Sequence, residues 1–157
     1  MNSQHTYQLT LIWTGNKGTG TDSYRSYERS HVISIENKPD LFLSADPAYR
    51  GDSTLYNPEE LLLASLSGCH MLWFLHLCSD NGIVVTNYLD HPIGHMQLTP
   101  DGGGKFTEVT LQPEVTVSHK SMLNQLDELH KLANQRCFIA NSVNFPVHHR
   151  PTYLIKE

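Results

Sequence analysis

Charge is scarce in this chain. Asp, Glu, Lys and Arg make up 17% of its 157 residues, and the formal net charge is −5. No long basic run is present, which argues against a nucleic-acid backbone as the main partner, because that contact is carried by clustered Lys and Arg. The N-terminus, Met1-Asn2-Ser3-Gln4-His5, has no basic segment leading into an apolar core, so no secretory signal is expected. Cysteine is scarce as well. Three thiols are an odd number, and without a secretion signal they read as free thiols or a working redox pair rather than a structural framework. The expected location is the cytoplasm. Apolar content is modest at 39%, yet neither value suggests disorder. The length fits one domain with a real core, residues 1–157.

Residues 61–79 contain no Asp, Glu, Lys or Arg. A membrane span needs about 20 mostly apolar residues, but this stretch holds Ser65, Ser67, Gly68, His70, His76 and Ser79. The reading is therefore a buried helix of a protein that does not enter a membrane. Asn57 is a good N-cap and Pro58 suits the first helical position. Glu59 and Glu60 lie where the helix dipole favours carboxylates, and Asn81-Gly82 ends the helix. Cys69, Leu72, Trp73, His76 and Leu77 follow helical spacing and share a face. The other faces are apolar too, so cover on most sides is expected.

Around this helix the pattern is of strands. Residues 7–13 alternate, with Tyr7, Leu9, Leu11 and Trp13 on one face, and the Gly-rich residues 15–20 end that strand. Residues 31–35 form a second short strand, with a start as early as Tyr24. Residues 38–56 read as one long connection, of the length that is often functional. Residues 83–98 and 105–118 read as two long strands joined by a turn at residues 99–104, a hairpin signal. Residues 121–135 form a second helix with Met122, Leu126, Leu129 and Ala133 on one stripe, and residues 152–155 a last strand. This order predicts an α+β fold with an antiparallel sheet around a long central helix.

The chemistry turns on Cys69. A thiol at the middle of an apolar helix is usually an inert core residue; one with a partner thiol and a cation nearby is a redox centre. The helix start cannot activate it, because Cys69 lies about 18 Å along the axis from Asn57 and the dipole effect fades within a turn. Burial raises a thiol pKa, so a reactive Cys69 needs a cation from elsewhere. Arg50, in the long connection, is the first candidate, and Arg29 and Arg25 follow. A guanidinium suits the role because it stays charged when desolvated.

Asn57-Pro58-Glu59-Glu60-Leu61-Leu62, then Ala64, then Cys69 ten positions after Glu59, with Cys137 in the C-terminal third, resembles the OsmC/Ohr family of osmotically inducible and organic hydroperoxide resistance proteins. The flanks Cys69-His70-Met71-Leu72-Trp73 and Cys137-Phe138-Ile139-Ala140-Asn141-Ser142 resemble one subgroup of it. The resemblance implies an intertwined homodimer that reduces organic hydroperoxides with an external dithiol, without a bound cofactor. It implies Cys69 as the peroxidatic thiol, Cys137 as the resolving thiol, and Glu59 as the carboxylate that holds the catalytic arginine, with Arg50, or Arg29 or Arg25, in that role. The Cys-Pro usual after the second cysteine is Cys137-Phe138 here. Glu59 and Cys69 are about 15 Å apart along one unbroken helix, so a site using both takes them from two subunits.

Other readings stand beside this one. A non-catalytic relative would bind a hydrophobic small molecule between subunits. A third reading is a Cys/His metal protein, but no standard zinc spacing appears among the ten histidines, and no metal is expected. His70 and His76 read as semi-buried core residues, and Cys78 as a packing residue. Gly102-Gly103-Gly104 reads as a turn, with no phosphate loop after it.

Overall fold

The structure is a computed structural model, and it describes residues 4–156. Its chain contacts divide into two compact units, one ending at Leu61 and one starting at Leu62.

The first unit is built on an antiparallel meander of β1 (Thr10–Trp13), β2 (His31–Ser34) and β3 (Leu41–Leu43). Its registers pair Trp13 with His31 and Val32 with Phe42. The first strand is shorter than its alternation suggests, and Tyr24 lies in a turn, not in β2. The β1–β2 connection is clamped where the Trp13 indole donates to the Glu28 carbonyl at 2.9 Å. Gly15 sits so close to that carbonyl that any side chain there would collide with it. The stretch expected to be one long connection holds β3 and a 3-10 turn at Pro47–Tyr49. The Asp46 side chain caps that turn by accepting from Ala48 N at 2.7 Å, and Arg50 leaves it in the left-handed region, φ 66°.

Helix α1 (Pro58–Asp80) begins at Asn57 as its sequence requires. Asn57 Oδ1 accepts from the Glu60 amide at 2.8 Å, and the Glu60 carboxylate accepts from the Asn57 amide at 3.0 Å. This is a reciprocal capping box that satisfies two otherwise orphaned donors. Gly82, at φ 68°, ends the helix. Its amide donates to the Ser79 carbonyl and that of Ile83 to the Cys78 carbonyl, the double bond of a Schellman motif.

The second unit holds two three-stranded sheets, ordered β4-β7-β9 and β5-β6-β8. The strands are β4 (Val85–Asp90), β5 (Ile93–Leu98), β6 (Gly104–Leu111), β7 (Pro113–Val117), β8 (Val147–His149) and β9 (Thr152–Ile155). The two long strands expected from sequence are each broken, at His91-Pro92 and at Gln112. Proline has no amide to donate to a ladder, and each strand passes from one sheet to the other at its break. Asp90 stitches this corner, accepting from the Gln112 amide at 2.7 Å and from the Ser67 hydroxyl at 2.5 Å. The antiparallel pairs β4–β7 and β5–β6 form as expected, while β8 and β9 join parallel to β6 and β7. The α+β class holds, with mixed sheets.

Helix α2 (Leu126–Arg136) follows a 3-10 segment, Lys120–Gln125. It buries Leu126, Leu129 and Ala133 against Phe74, Leu77 and Cys78 of α1 and Val115 and Val117 of β7. A second cluster joins Leu66 of α1 to Val109 and Leu111 of β6. Helix α1 therefore buries one stripe, Leu66, His70, Phe74, Leu77 and Cys78. Cover on most sides, expected from its composition, is not what the chain provides: Leu72 is 64% exposed. By length and composition α1 would pass for a membrane span, with 28% of its most apolar window buried, but its buried stripe packs as a core helix does.

Candidate functional site

Cys69 lies beside the buried stripe of α1, at the edge of its open face, and is half-buried. It opens onto an apolar groove of about 580 Å³ lined by Ser65, Leu72, Trp73, His76, Phe138 and Ile139. The helical face expected from spacing thus forms one wall of a single groove, except that Leu77 turns into the core. The other wall comes from the segment after α2. That helix stops at Arg136 because Cys137 takes an extended conformation, ψ 111°. The chain then folds back, with the Asn141 amide donating to the Cys137 carbonyl at 3.0 Å and the Asn141 side chain donating to the Gln135 carbonyl at 2.9 Å.

This loop delivers Cys137 to Cys69. Cys137 is 1% exposed, its sulfur accepts from the Ala140 amide at 3.4 Å, and the Cys69 thiol is near enough to raise its pKa. Burial, with a smaller contribution from the neighbouring Cys69 thiol, pushes the Cys137 pKa up to about 11. Both thiols are free. Cys78 is buried in the core, and burial pushes its thiol to about 12, in keeping with a packing role. Trp73 meets Phe138 edge to face at 5.7 Å, so the segments that carry the thiols also touch through aromatic rings.

The remaining expected site residues belong to the first unit. Arg29 is held by its own surroundings: its guanidinium stacks on Tyr24 and Tyr27, 4.2 Å from each ring centre, and donates to the carbonyls of both. Arg50 makes no side-chain hydrogen bond among the described residues, and its charge lowers the pKa of Glu28, behind the larger effect of Lys17. Arg25 is exposed. Glu59 has a buried carboxylate oxygen without a hydrogen-bond partner, so a donor is wanted there. No Lys or Arg is among the residues that line the groove.

Two features escaped the sequence reading. Arg136 places its guanidinium 5.7 Å from the Trp73 ring; its position next to Cys137 was the available signal. His70 and His130, sixty residues apart, are hydrogen-bonded in the core at 2.9 Å, a pairing that no local spacing encodes. Among the described residues, no group of three or more His, Cys, Asp or Glu side chains is arranged to hold a metal ion.

A mixed α+β chain with one accessible thiol on an apolar helix, and a buried thiol delivered to it by the second helix, defines a small paired-thiol protein. The chain belongs to the OsmC-like protein family, whose model matches residues 51–151. An OsmC-like protein of unknown function from Vibrio cholerae is similar over 95% of this chain and 100% of its own, at 30% identity and a TM-score of 0.85. An organic hydroperoxide resistance protein from Elizabethkingia anophelis shares the fold at 16% identity and a TM-score of 0.70, over 99% of this chain and 100% of its own. One from Legionella pneumophila does so at 18% identity and 0.67, over 96% and 99%. Comparison with curated proteins finds no match.

Proposed function

We propose that the protein is a thiol-dependent peroxidase that reduces organic hydroperoxides. The observation that carries this reading is the pairing of an accessible Cys69, which lines an apolar groove, with a buried Cys137. Access assigns the roles. Cys69 meets the substrate, whereas Cys137, buried and held as a thiol at neutral pH, waits beside it. The Cys69 thiolate attacks the peroxide, an S–O bond forms, the O–O bond breaks, and the alkoxide leaves and takes up a proton to become an alcohol. Cys137 then displaces hydroxide from the Cys69 sulfenic acid; the thiol proton and the hydroxide leave as water, and a disulfide closes. An external dithiol reduces it by exchange. Leu72, Trp73 and Phe138 offer an alkyl chain an apolar surface.

The activating cation and its carboxylate are proposed to come from a second copy of the chain. In this dimer Arg50 serves better than Arg29, whose guanidinium is already committed to two rings and two carbonyls, and the unpartnered Glu59 oxygen accepts from that arginine. A light-scattering mass of one chain at micromolar concentration would rule the dimer out. Consumption of an alkyl hydroperoxide with a dithiol reductant tests the reaction, and Cys69→Ser is expected to reduce it to background. Activity that survives this change removes the assignment. A groove without Lys or Arg in its lining favours a second reading, in which it binds a hydrophobic molecule without turnover. Wild-type protein that consumes no hydroperoxide yet retains an apolar probe would establish that reading instead.

A further inference from the structure

Three histidines meet inside the second unit, and the chemistry above uses none of them. His70 of α1 and His130 of α2 are each 1% exposed. His70 Nε2 and His130 Nδ1 share one hydrogen bond at 2.9 Å, with the rings 5° from parallel. His149 of β8 stands edge-on to both, 5.4 and 6.0 Å between ring centres. A neutral imidazole has one donor and one acceptor nitrogen. The pair therefore satisfies one nitrogen of each ring and leaves His70 Nδ1 and His130 Nε2 buried without partners. Such orphans destabilise a core. An apolar ring would suit the site: His130 already lies 3.8 Å from Phe74 and 6.0 Å from Tyr153, centre to centre. What the pair supplies is direction, which apolar packing lacks.

The location of the pair says what it directs. His70 directly follows Cys69. His130 precedes Cys137 by seven residues, about 10 Å along α2. The other ties between these segments, Trp73 against Phe138 and the apolar packing of α2 on α1, are not directional and tolerate sliding. We propose that the His70–His130 hydrogen bond is a positioning device that fixes the register of α2 on α1 and so holds the Cys137 thiol against Cys69. The proposal rests on the reading of the two cysteines as a redox pair.

The test is the equilibrium between reduced protein and its Cys69–Cys137 disulfide in buffers of oxidised and reduced dithiothreitol, read by alkylation and mass. Two electrons and two protons pass from the cysteines to the oxidised reagent. His70→Phe and His130→Phe keep ring volume and remove the bond. Each is expected to lower the disulfide formation constant about five-fold, the share of one net hydrogen bond, which raises the potential by about 20 mV at 29.6 mV per tenfold. His70→Gln and His130→Asn place amide atoms near the lost ring nitrogens and are expected to stay within about two-fold of wild type on the same scale. A role in packing alone would not separate the amide from the aromatic replacements. If an aromatic variant does not fold, His70→Leu carries the same expected shift. A normal disulfide with unchanged potential in the Phe or Leu variants overturns this inference and leaves the redox pair standing. A wild-type protein that closes no Cys69–Cys137 disulfide overturns both.

Discussion

Lowering the pH from 7 to 5 should destabilise this protein by an amount that two buried histidines set. Burial, followed by repulsion from His149, lowers the His70 pKa to about 4. Burial, followed by repulsion from His70 and His149, lowers that of His130 to about 3. In the unfolded chain both titrate near the ordinary value of about 6.5. Below that pH the unfolded state binds protons that the folded state refuses. Stability is therefore full above about pH 6.5, falls as pH drops, and levels off below the folded values near 4 and 3. By this linkage each histidine removes about 2 kcal/mol between pH 7 and pH 5, and the pair about 4 kcal/mol. That is a large share of a typical domain stability of roughly 5–15 kcal/mol. Asp127 and Lys131, which line a small cavity with His130 and His149, carry opposite charges, and neither is among the causes that set the pKa values of His70 and His130. Urea unfolding of the reduced protein at pH 7, 6 and 5, at one protein concentration, measures the loss. The His70→Phe/His130→Phe double variant should lack about 4 kcal/mol of that pH dependence. Equal dependence in both proteins would refute the assignment of these two groups.

Other outcomes follow from the same geometry. Cys137→Ser leaves the Cys69 sulfenic acid without its neighbour, so excess hydroperoxide should drive Cys69 to the sulfinic form; an intact mass that gains no further oxygen would remove Cys137 from the reaction. Asn57→Ala breaks the capping box at the start of α1 and is expected to cost about 1–2 kcal/mol in denaturant unfolding; an unchanged midpoint would mean that another group holds the helix start. Leu72→Asp places a charge on the exposed groove wall and should both weaken the proposed dimer and abolish peroxide turnover. A dimeric variant without activity would assign Leu72 to substrate contact alone.

What could be read from sequence was what is local. Asn57, Pro58 and Gly82 mark the ends of α1 through capping chemistry that acts within a few residues, and these marks matched the structure. The face shared by Cys69, Leu72, Trp73 and His76 was likewise fixed by helical spacing. Strand β3 was missed because Leu41–Leu43 is too short to show a period, and β8 because Val147–His149 is short and carries two histidines. Both β8 and β9 pair parallel with strands far away in sequence, and such pairing leaves no local trace. The approach of Cys137 to Cys69 spans 68 positions; it entered through a family resemblance, not through spacing. His70 was read by itself, as a semi-buried core residue, and His130 was not singled out; a pair defined by a single long-range hydrogen bond is invisible to local spacing.

In the proposed reaction, unequal access is what would make a mid-helix thiol useful. If α1 were covered on all sides, Cys69 would be as inert as Cys78, two and a half turns further along the helix. If Cys137 were equally open, hydroperoxide could oxidise either thiol, and the second would not be preserved for resolution. The chain separates them by burying one stripe of α1 and leaving the next face bare, with Leu72 and Phe138 at 64% and 67% exposure. A bare apolar face of this kind calls for a cover, and a groove lined without Lys or Arg calls for a cation to activate Cys69. One partner surface that met both needs would explain why neither is met by the residues lining the groove. On that reading Cys69 is complete as a nucleophile only in the assembly, and the single chain carries a thiol pair that is positioned but not yet activated.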